Sequence, residues 1–141
     1  MELTQPLAAR GDDFEALKVG LIGFNESHTG AKHRETVSVF LKDDNGKVVG
    51  GIVGEIAWDW MLIQGLWVSE NIRSEGWGGK LLTEIEKYST SKNITNIRLE
   101  TTTFQALGFY VKAGYSIFGE LENMPVGYTC YFLQKHLLSI S

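Results

Sequence analysis

The sequence is poor in cysteine and proline, and it lacks a long apolar segment. A single cysteine, Cys130, can form neither an internal disulfide nor a thiol-ligated zinc cluster, so it fits a reducing compartment and a cytoplasmic location. The longest apolar stretch, 48–68, is interrupted by charged and polar residues, which argues against a membrane span. Residues 1–15 lack the basic start and apolar run of a signal peptide.

Positive charge is also in short supply. The chain has 13 Lys and Arg against 17 Asp and Glu, a formal net charge of −4. General nucleic-acid binding needs a basic footprint, so we expect neither a nucleic acid nor a membrane as partner. Nothing in the residue pattern predicts a metal site. A length of 141 residues is close to that of one ordinary domain, so a single domain over 1–141 is expected.

Glycine, by contrast, is abundant. The chain has 16 glycines in 141 residues, about 11 % against roughly 7 % in average proteins. With only 2 prolines, this indicates close backbone approach inside a folded domain rather than a flexible linker. Four glycines fall in two neighbouring apolar runs, where a glycine permits a β-bulge or the close approach of a ligand. These four are Gly50, Gly51, Gly54 and Gly65.

Hydrophobic periodicity predicts a mixed α/β chain. The expected order is a strand, helices, a strand hairpin, a strand, a helix, a strand, a helix and two strands. This predicts a central mixed sheet of about six to seven strands with helices on both faces. The predicted helices are 11–27 (broken at Gly20 or Gly23), 78–92 and 103–113, and the predicted strands are 36–41, 48–58, 61–68, 96–100, 115–121 and 128–135.

Three local signals punctuate this pattern. The run Asp43–Gly46 (DDNG) is typical of a hairpin turn. Thr102 and Gln105 have the spacing of a capping box, which predicts a helix start at that point. Gly114 stands where a helix-ending glycine is expected.

The most informative segment is 66–82, LWVSENIRSEGWGGKLL, which reads as a strand, a glycine-rich turn and an amphipathic helix. Unpaired amides at a helix N-terminus attract anions, and glycines let a phosphate approach the backbone. The spacing of Gly76, Gly78 and Gly79 fails the dinucleotide fingerprint, and Leu81 after Lys80 fails the P-loop pattern. A fixed positive charge at Arg73 favours a ligand with more than one phosphate.

Residues 73–78, RSEGWG, match the R/Q-x-x-G-x-G/A acetyl-CoA signature, and the chain here resembles the GNAT superfamily of N-acetyltransferases. A second match follows one helix and one strand later. Residues 104–115, FQALGFYVKAGY, are similar to the family's later helix, N-x-x-A-x-x-[FL]-Y-x-x-x-G-[FY]. The resemblance covers roughly 36–135, and the chain departs from it at Thr103, where the family often has Asn.

The resemblance implies the GNAT fold, acetyl-CoA as cofactor and direct acetyl transfer to a primary amine. It implies that the amides of the glycine turn hold the pyrophosphate of coenzyme A. The cofactor-binding residues that it implies are Trp67, Val68, Arg73, Ser74, Glu75, Gly76, Trp77, Gly78, Gly79, Lys80, Thr103, Ala106 and Tyr110.

Direct transfer needs a polarised thioester carbonyl, a deprotonated amine and a proton for the departing thiolate. The resemblance assigns the first to a backbone amide near Val68. It assigns the third to Tyr110, because a phenol of pKa roughly 10 stays protonated where a thiol of roughly 8.5 does not. A carboxylate is expected to take the proton of the amine, and Glu55 on the second strand is the first candidate. Alternatives are Glu100, Asp59, His28 and His33.

The acceptor is an amine of a small molecule or a protein. Candidate residues for its pocket are Phe24, Asn25, Trp58 and Glu100. A strand at 128–135 leaves a sheet edge through which a homodimer can form. Two other hypotheses remain at this point: a non-catalytic or regulatory module that binds coenzyme A on the same fold, and an unrelated nucleotide-binding domain.

Overall fold

The computed structural model describes residues 1–138 and forms two compact units, Met1–Lys32 and a second that begins at His33. In the first unit, α1 (Asp12–Thr29) is the only regular element within the described residues. This confirms the first predicted helix. No strand precedes α1 in the described chain, so the expected first strand is wrong. Residues 1–11 lack the alternating β-branched pattern that forms one.

The helix α1 runs without a break through Gly20 and Gly23, which corrects the predicted interruption. A helix tolerates an isolated glycine at a cost of about 1 kcal/mol relative to alanine, and two such costs do not outweigh the remaining turns. No helix among residues 1–138 has both the length and the hydropathy that a membrane-spanning helix requires.

The second unit is built on a six-stranded sheet with the spatial order β1-β2-β3-β4-β6-β5. The β3–β4 pair is parallel and every other neighbouring pair is antiparallel. The mixed sheet confirms the expected fold class. Its strands are β1 (Glu35–Lys42), β2 (Val48–Ala57), β3 (Trp60–Val68), β4 (Asn96–Thr102), β5 (Ser116–Glu122) and β6 (Thr129–His136).

Two α-helices and one 3₁₀ turn complete this unit. They are α2 (Trp77–Ser91), α3 (Leu107–Lys112) and the 3₁₀ turn Glu70–Ile72. The predicted hairpin turn is confirmed, with Gly46 at φ 80° and its N–H bonded to the Asp43 carbonyl.

The core lies between α2 and one face of the sheet. Leu81, Leu82 and Ile85 of α2 are buried against alternate residues of β2 and β3. Gly54 permits this close approach, because a Cβ there would lie 2.7 Å from the Met61 sulfur and 3.0 Å from Ile85 Cδ1. This glycine therefore serves helix packing rather than a ligand.

The expected helix start at Thr102 is wrong. Thr102 is still part of β4, where it pairs with Cys130, so it does not adopt the position of a helix cap. The Gln105 side chain does accept a bond from the Thr102 N–H at 3.0 Å, which is half of a capping box. The helix α3 begins only at Leu107 and ends before Gly114, whose φ of 98° confirms its predicted position.

The strands β3 and β4 separate part-way along their length. They pair only from Trp60 with Asn96 to Ile63 with Leu99. At this point β3 contains a bulge opposite Val53 and Gly54, as the glycines of this region predict. Beyond it, β3 stays with β2 while β4 stays with β6, so a wedge-shaped gap opens between the two parallel strands.

Candidate active site

A cavity of about 660 Å³ occupies the gap between β3 and β4. It extends from the point where the strands part to the N-terminus of α2 and the first turn of α3. Its lining residues are Ile63, Gln64, Gly65, Leu66, Trp67, Val68, Ile72, Arg73, Ser74, Gly76, Trp77, Gly78, Gly79, Leu99, Glu100, Thr101, Phe104, Gln105, Ala106, Phe109 and Tyr110.

The edge of β3 presents unpaired backbone groups to this gap. The Ser69 N–H bonds to the Val49 carbonyl on β2. Because the bonded pairs of an antiparallel ladder alternate, Trp67 pairs its backbone with β2, while Leu66 and Val68 direct theirs away from it. The amides of Leu66 and Val68 therefore face the cavity. The backbone of Trp67, a residue expected to bind the cofactor, is bonded within the sheet, and the residue lines the cavity.

Arg73 joins the turn to the end of β3. Its Nε donates a hydrogen bond to the Val68 carbonyl at 2.9 Å. This bond fixes the guanidinium at the end of β3, and the residues that begin α2 line the same cavity. Arg73 lines the cavity, and its contact with the cofactor stays a prediction.

The start of α2 has the properties of an anion site. Its N-cap, Gly76, is left-handed with φ 84°, and no side chain caps the helix. The first turn carries no acidic residue. The first amides of the helix therefore have no side-chain partner, and the helix dipole adds positive potential there. A Cβ at Gly79 would meet no heavy atom within 4 Å, so the space beside this turn is open.

Tyr110 closes the cavity from α3. The residue is 7 % exposed and its ring contacts those of Phe109 and Tyr115 edge to face. Burial raises the pKa of Tyr110 to about 12. Its hydroxyl has no hydrogen-bond partner among the described residues, so it is a fully protonated donor available to a ligand.

Glu100 lines the cavity from β4, at the end where the strands part. Its Oε2 accepts a hydrogen bond from the Cys130 thiol at 3.6 Å. Burial, followed by the charge of Glu100 and this bond, raises the pKa of Cys130. Cys130 is thus a buried free thiol that is held in its neutral form.

Several predicted cofactor residues do not line the cavity. Glu75 is exposed on the turn, and Lys80 Nζ lies 4.2 Å from the centroid of the Trp77 ring. Thr103 N–H bonds to the Thr129 carbonyl, which continues the pairing of β4 with β6. The side chains of these residues therefore remain predictions as cofactor contacts.

The structure does not bring Glu55 or Trp58 to the cavity. Glu55 pairs with Leu62, before the strands part, and its Oε1 forms an ion pair with Arg34 at 2.7 Å. Trp58 lies in the turn between β2 and β3, at the opposite end of β3. Phe24 and Asn25 lie on α1 in the first unit.

Sequence reasoning missed Leu66, Phe104 and Phe109, which line the cavity. The signal for Leu66 was available, because a residue two positions from Val68 on the same strand shares its hydrogen-bonding direction. The ring of Phe109 touches the helix start, where a Cβ on Gly78 would lie 3.6 Å from it. Nothing in the sequence alone places that contact.

The chain is similar to known acetyltransferases in both sequence and structure. Residues 9–115 match the model of the acetyltransferase (GNAT) family. The chain belongs to the GNAT family. It is 31 % identical over 108 residues to blasticidin-S acetyltransferase from Streptomyces morookaense, covering 76 % of this chain and 79 % of that protein.

Solved structures agree with this GNAT assignment. The crystal structure of an acetyltransferase from Bacillus cereus ATCC 14579 superposes with a TM-score of 0.86 and 32 % identity, covering 97 % of this chain and 98 % of that one. An aminoglycoside 6′-N-acetyltransferase complexed with coenzyme A gives a TM-score of 0.66 at 23 % identity, covering 76 % of each chain, and shares the fold.

The protein is therefore an acetyltransferase that uses acetyl-CoA, as GNAT enzymes do. The cavity fits this cofactor on its own geometry. It offers uncapped amides for a phosphate at the start of α2, a guanidinium fixed at the end of β3, and unpaired strand amides in a long gap.

Proposed function

We propose that this GNAT enzyme transfers the acetyl group of acetyl-CoA to a primary amine, with Tyr110 as general acid. The observation that carries the proposal is the position of Tyr110, whose unpartnered hydroxyl belongs to the same cavity as the unpaired amides of β3 and the turn before α2. Bound acetyl-CoA supplies the activated acetyl group as a thioester. The residues of this chain bind it, polarise it and move protons.

The turn and the start of α2 hold the phosphates. The amides of Trp77, Gly78 and Gly79 belong to the first turn of α2, where backbone N–H groups have no partner within the helix. Arg73 adds a charge at the same end of the cavity. Ser74, with φ 70°, and Gly76 bend the backbone so that the chain turns tightly into the helix.

The strand β3 supplies the donor for the developing negative charge. The N–H of Leu66 or Val68 faces the gap, and the carbonyl of Val68 already accepts a bond from Arg73. A fixed amide aimed at the carbonyl oxygen of the reacting acetyl group stabilises the transition state by several kcal/mol, typically about 3. Leu66 lies nearer to the narrow end of the gap and is the stronger candidate.

Tyr110 returns a proton to the departing sulfur. As the amine nitrogen bonds to the acetyl carbon and the carbon–sulfur bond breaks, the sulfur takes the phenolic proton. The acetylated nitrogen then loses its extra proton to the tyrosinate, which leaves a neutral amide and restores the phenol. With a pKa of about 12, Tyr110 is protonated at every working pH. Transfer from this weak acid is assisted because a thiolate expelled into the same buried region is itself poorly solvated.

Glu100 replaces Glu55 as the candidate base. It is the single carboxylate among the described residues that line the cavity, whereas Glu55 is engaged by Arg34. The ammonium of the acceptor gives up its proton to Glu100, directly or through a water molecule, before attack. The likeness to blasticidin-S acetyltransferase supports a small-molecule amine as the acceptor.

Two measurements test this function. Calorimetry is expected to show binding of acetyl-CoA and no binding of ATP or NAD. An assay of free thiol is expected to show release that depends on an added amine, and Tyr110→Phe is expected to suppress that release. Binding of acetyl-CoA without thiol release for any amine of a broad panel would instead identify a non-catalytic module.

The location and the assembly are separate proposals. The buried free thiol of Cys130 supports a reducing, cytoplasmic location. A homodimer is supported by the edge strand β5, where Ile117, Phe118 and Leu121 are exposed. The predicted edge at 128–135 is wrong, because β6 lies between β4 and β5. Light scattering during size-exclusion chromatography gives the oligomeric state directly.

A further inference from the structure

The cavity is lined by one carboxylate, at the narrow end where the strands part, and by exposed aromatic side chains farther along the gap. We infer that the acceptor is an organic cation with a flat, apolar body and no carboxylate near its reactive amine. Glu100 selects the charge, and Trp67 with Phe104 selects the body. This inference rests on the proposed function and narrows its substrate class.

The charged side chains of the cavity favour a cationic acceptor. Of the described residues that line it, only Arg73 and Glu100 are charged. Glu100 forms no ion pair with any described residue, and its one hydrogen bond comes from the neutral thiol of Cys130. The Glu86 carboxylate, by comparison, is neutralised by Lys135 at 3.1 Å. Glu100, unlike Glu86, is exposed and solvated, so it needs no protein counter-ion and is free to attract a cationic ligand in the cavity.

The one positive side chain among the described residues that line the cavity, Arg73, lies far from Glu100. Glu100 lies level with Gln64, since Ile63 pairs with Leu99. The Nε of Arg73 is bonded at the Val68 carbonyl. Four strand residues separate these levels, which is about 13 Å at roughly 3.3 Å per residue. No cation among the lining residues is therefore placed to neutralise an acceptor carboxylate beside Glu100.

The neutral polar groups that line the cavity add no positive charge to this balance. The Gln105 oxygen accepts bonds from the Thr102 N–H at 3.0 Å and from the Thr101 hydroxyl at 3.3 Å. The Thr101 hydroxyl is thus committed to Gln105. An α-carboxylate brought in with the amine would meet the charge of Glu100 without a side-chain cation to offset it, and this repulsion discriminates against amino acids.

The aromatic side chains of the cavity favour an acceptor with a flat body. Trp67 is 53 % exposed and Phe104 is 60 % exposed, although both line the cavity. The Phe104 ring is held by Tyr128, edge to face at 4.9 Å. Alternation along the strands places the side chains of Trp67 and Glu100 on the sheet face opposite α2, since Leu66 and Leu99 pack into the core. A flat cation gains stacking and cation–π attraction from such rings.

Matched amines test the inference. Tyramine and tyrosine differ by one carboxylate, as do cadaverine and lysine. Tyramine carries a phenol ring where cadaverine carries an aliphatic chain with a second amine, so cadaverine has the greater positive charge but no flat body. Calorimetry with the protein saturated with coenzyme A is expected to give at least tenfold tighter binding of tyramine than of tyrosine or cadaverine. Initial rates of thiol release with acetyl-CoA are expected to follow the same order.

Substitutions assign the selectivity to the named residues. Glu100→Gln is expected to reduce the preference of tyramine over tyrosine at least fivefold without changing the affinity for acetyl-CoA. Glu84→Gln, on the exposed face of α2, is the matched control and leaves the preference unchanged. Phe104→Leu is expected to weaken tyramine binding more than cadaverine binding. Trp67→Phe keeps an aromatic ring and is expected to retain most of the affinity for tyramine.

The outcomes separate the inference from the proposed function. Equal binding of tyrosine and tyramine, an unchanged preference in Glu100→Gln, or no binding of any of these amines overturns the inference. Selective binding without thiol release supports the inference and contradicts the proposed function. Thiol release without selectivity between tyramine and tyrosine supports the function and overturns the inference.

Discussion

Arg73 donates its Nε–H to the Val68 carbonyl across 2.9 Å and so fastens the glycine turn before α2 to the end of β3. A lysine at this position keeps the charge but cannot reproduce the fixed planar donor. We expect Arg73→Lys to raise the KM for acetyl-CoA about tenfold, a loss of about 1.4 kcal/mol, with little change in kcat. Arg98→Lys, at an exposed residue of β4, is the control. An equal rise in the KM of that variant would contradict the cofactor-binding role of Arg73.

The hydroxyl of Tyr110 is predicted to act in the chemical step alone. Removing a general acid typically lowers turnover by about 10²-fold or more. Tyr110→Phe is therefore expected to reduce kcat to that degree while calorimetry shows unchanged affinity for acetyl-CoA. Tyr88→Phe serves as the control, since its hydroxyl bonds to Glu35 outside the cavity. Normal turnover in Tyr110→Phe would exclude the acid role.

Alkaline pH is expected to reveal the burial of Tyr110 in the stability of the protein. Its pKa is about 12 when folded, against about 10 when unfolded, because burial disfavours the phenolate. The resulting stabilisation is complete below pH 10 and is lost as the pH rises towards 12. By pH 11 the wild type should lose about 1.4 kcal/mol more than Tyr110→Phe. Urea unfolding at pH 9, 10 and 11 measures this difference. Equal losses of unfolding free energy in the wild type and in Tyr110→Phe would contradict the raised pKa of Tyr110.

Glycine at position 79 is predicted to favour cofactor binding at the cost of helix stability. A Cβ there meets no protein atom within 4 Å, so alanine fits and favours the helix by up to about 1 kcal/mol. The same methyl group enters the open space beside the α2 amides. Gly79→Ala should thus raise the melting temperature and weaken acetyl-CoA binding at least fivefold. Gly108→Ala, equally open on α3, should raise stability without this loss, and unchanged binding in Gly79→Ala would count against the phosphate site.

The ion pair of Glu86 with Lys135 is predicted to be structural. Lys135 Nζ lies 3.1 Å from Glu86 Oε2 and donates to the Ala113 carbonyl at 2.8 Å, where α3 ends. Lys135→Met leaves a largely buried carboxylate with only Tyr115 as partner and should cost about 2–4 kcal/mol. Chemical denaturation measures this loss. The double variant with Glu86→Gln should recover part of it, and a merely additive double variant would show that the two residues are not coupled.

The sequence predicted most elements of the second unit because their periodicity and turn residues agree. The capping box failed for a physical reason. Thr102 and Thr103 gain more from pairing with β6 than from beginning a helix, and that pairing is not visible locally. The predicted edge strand failed similarly, since the order β4-β6-β5 depends on long-range pairing.

The cofactor side of the site could be predicted further than the acceptor side. Glycines before a helix carry a local physical meaning, so Gly76, Gly78 and Gly79 were found from sequence, and all three line the cavity. Glu55 and Glu100 could not be ranked in that way. Only the separation of β3 from β4 and the contact with Arg34 distinguish the two carboxylates.

The most direct test of the account is a mass-spectrometric assay for the acetylated amine after incubation with acetyl-CoA and tyramine. The wild type should form N-acetyltyramine in an amount equal to the thiol released, and Tyr110→Phe should form at least about 10²-fold less. Wild-type thiol release without an acetylated amine, or equal product from both proteins, would contradict amine acetylation with Tyr110 as its acid.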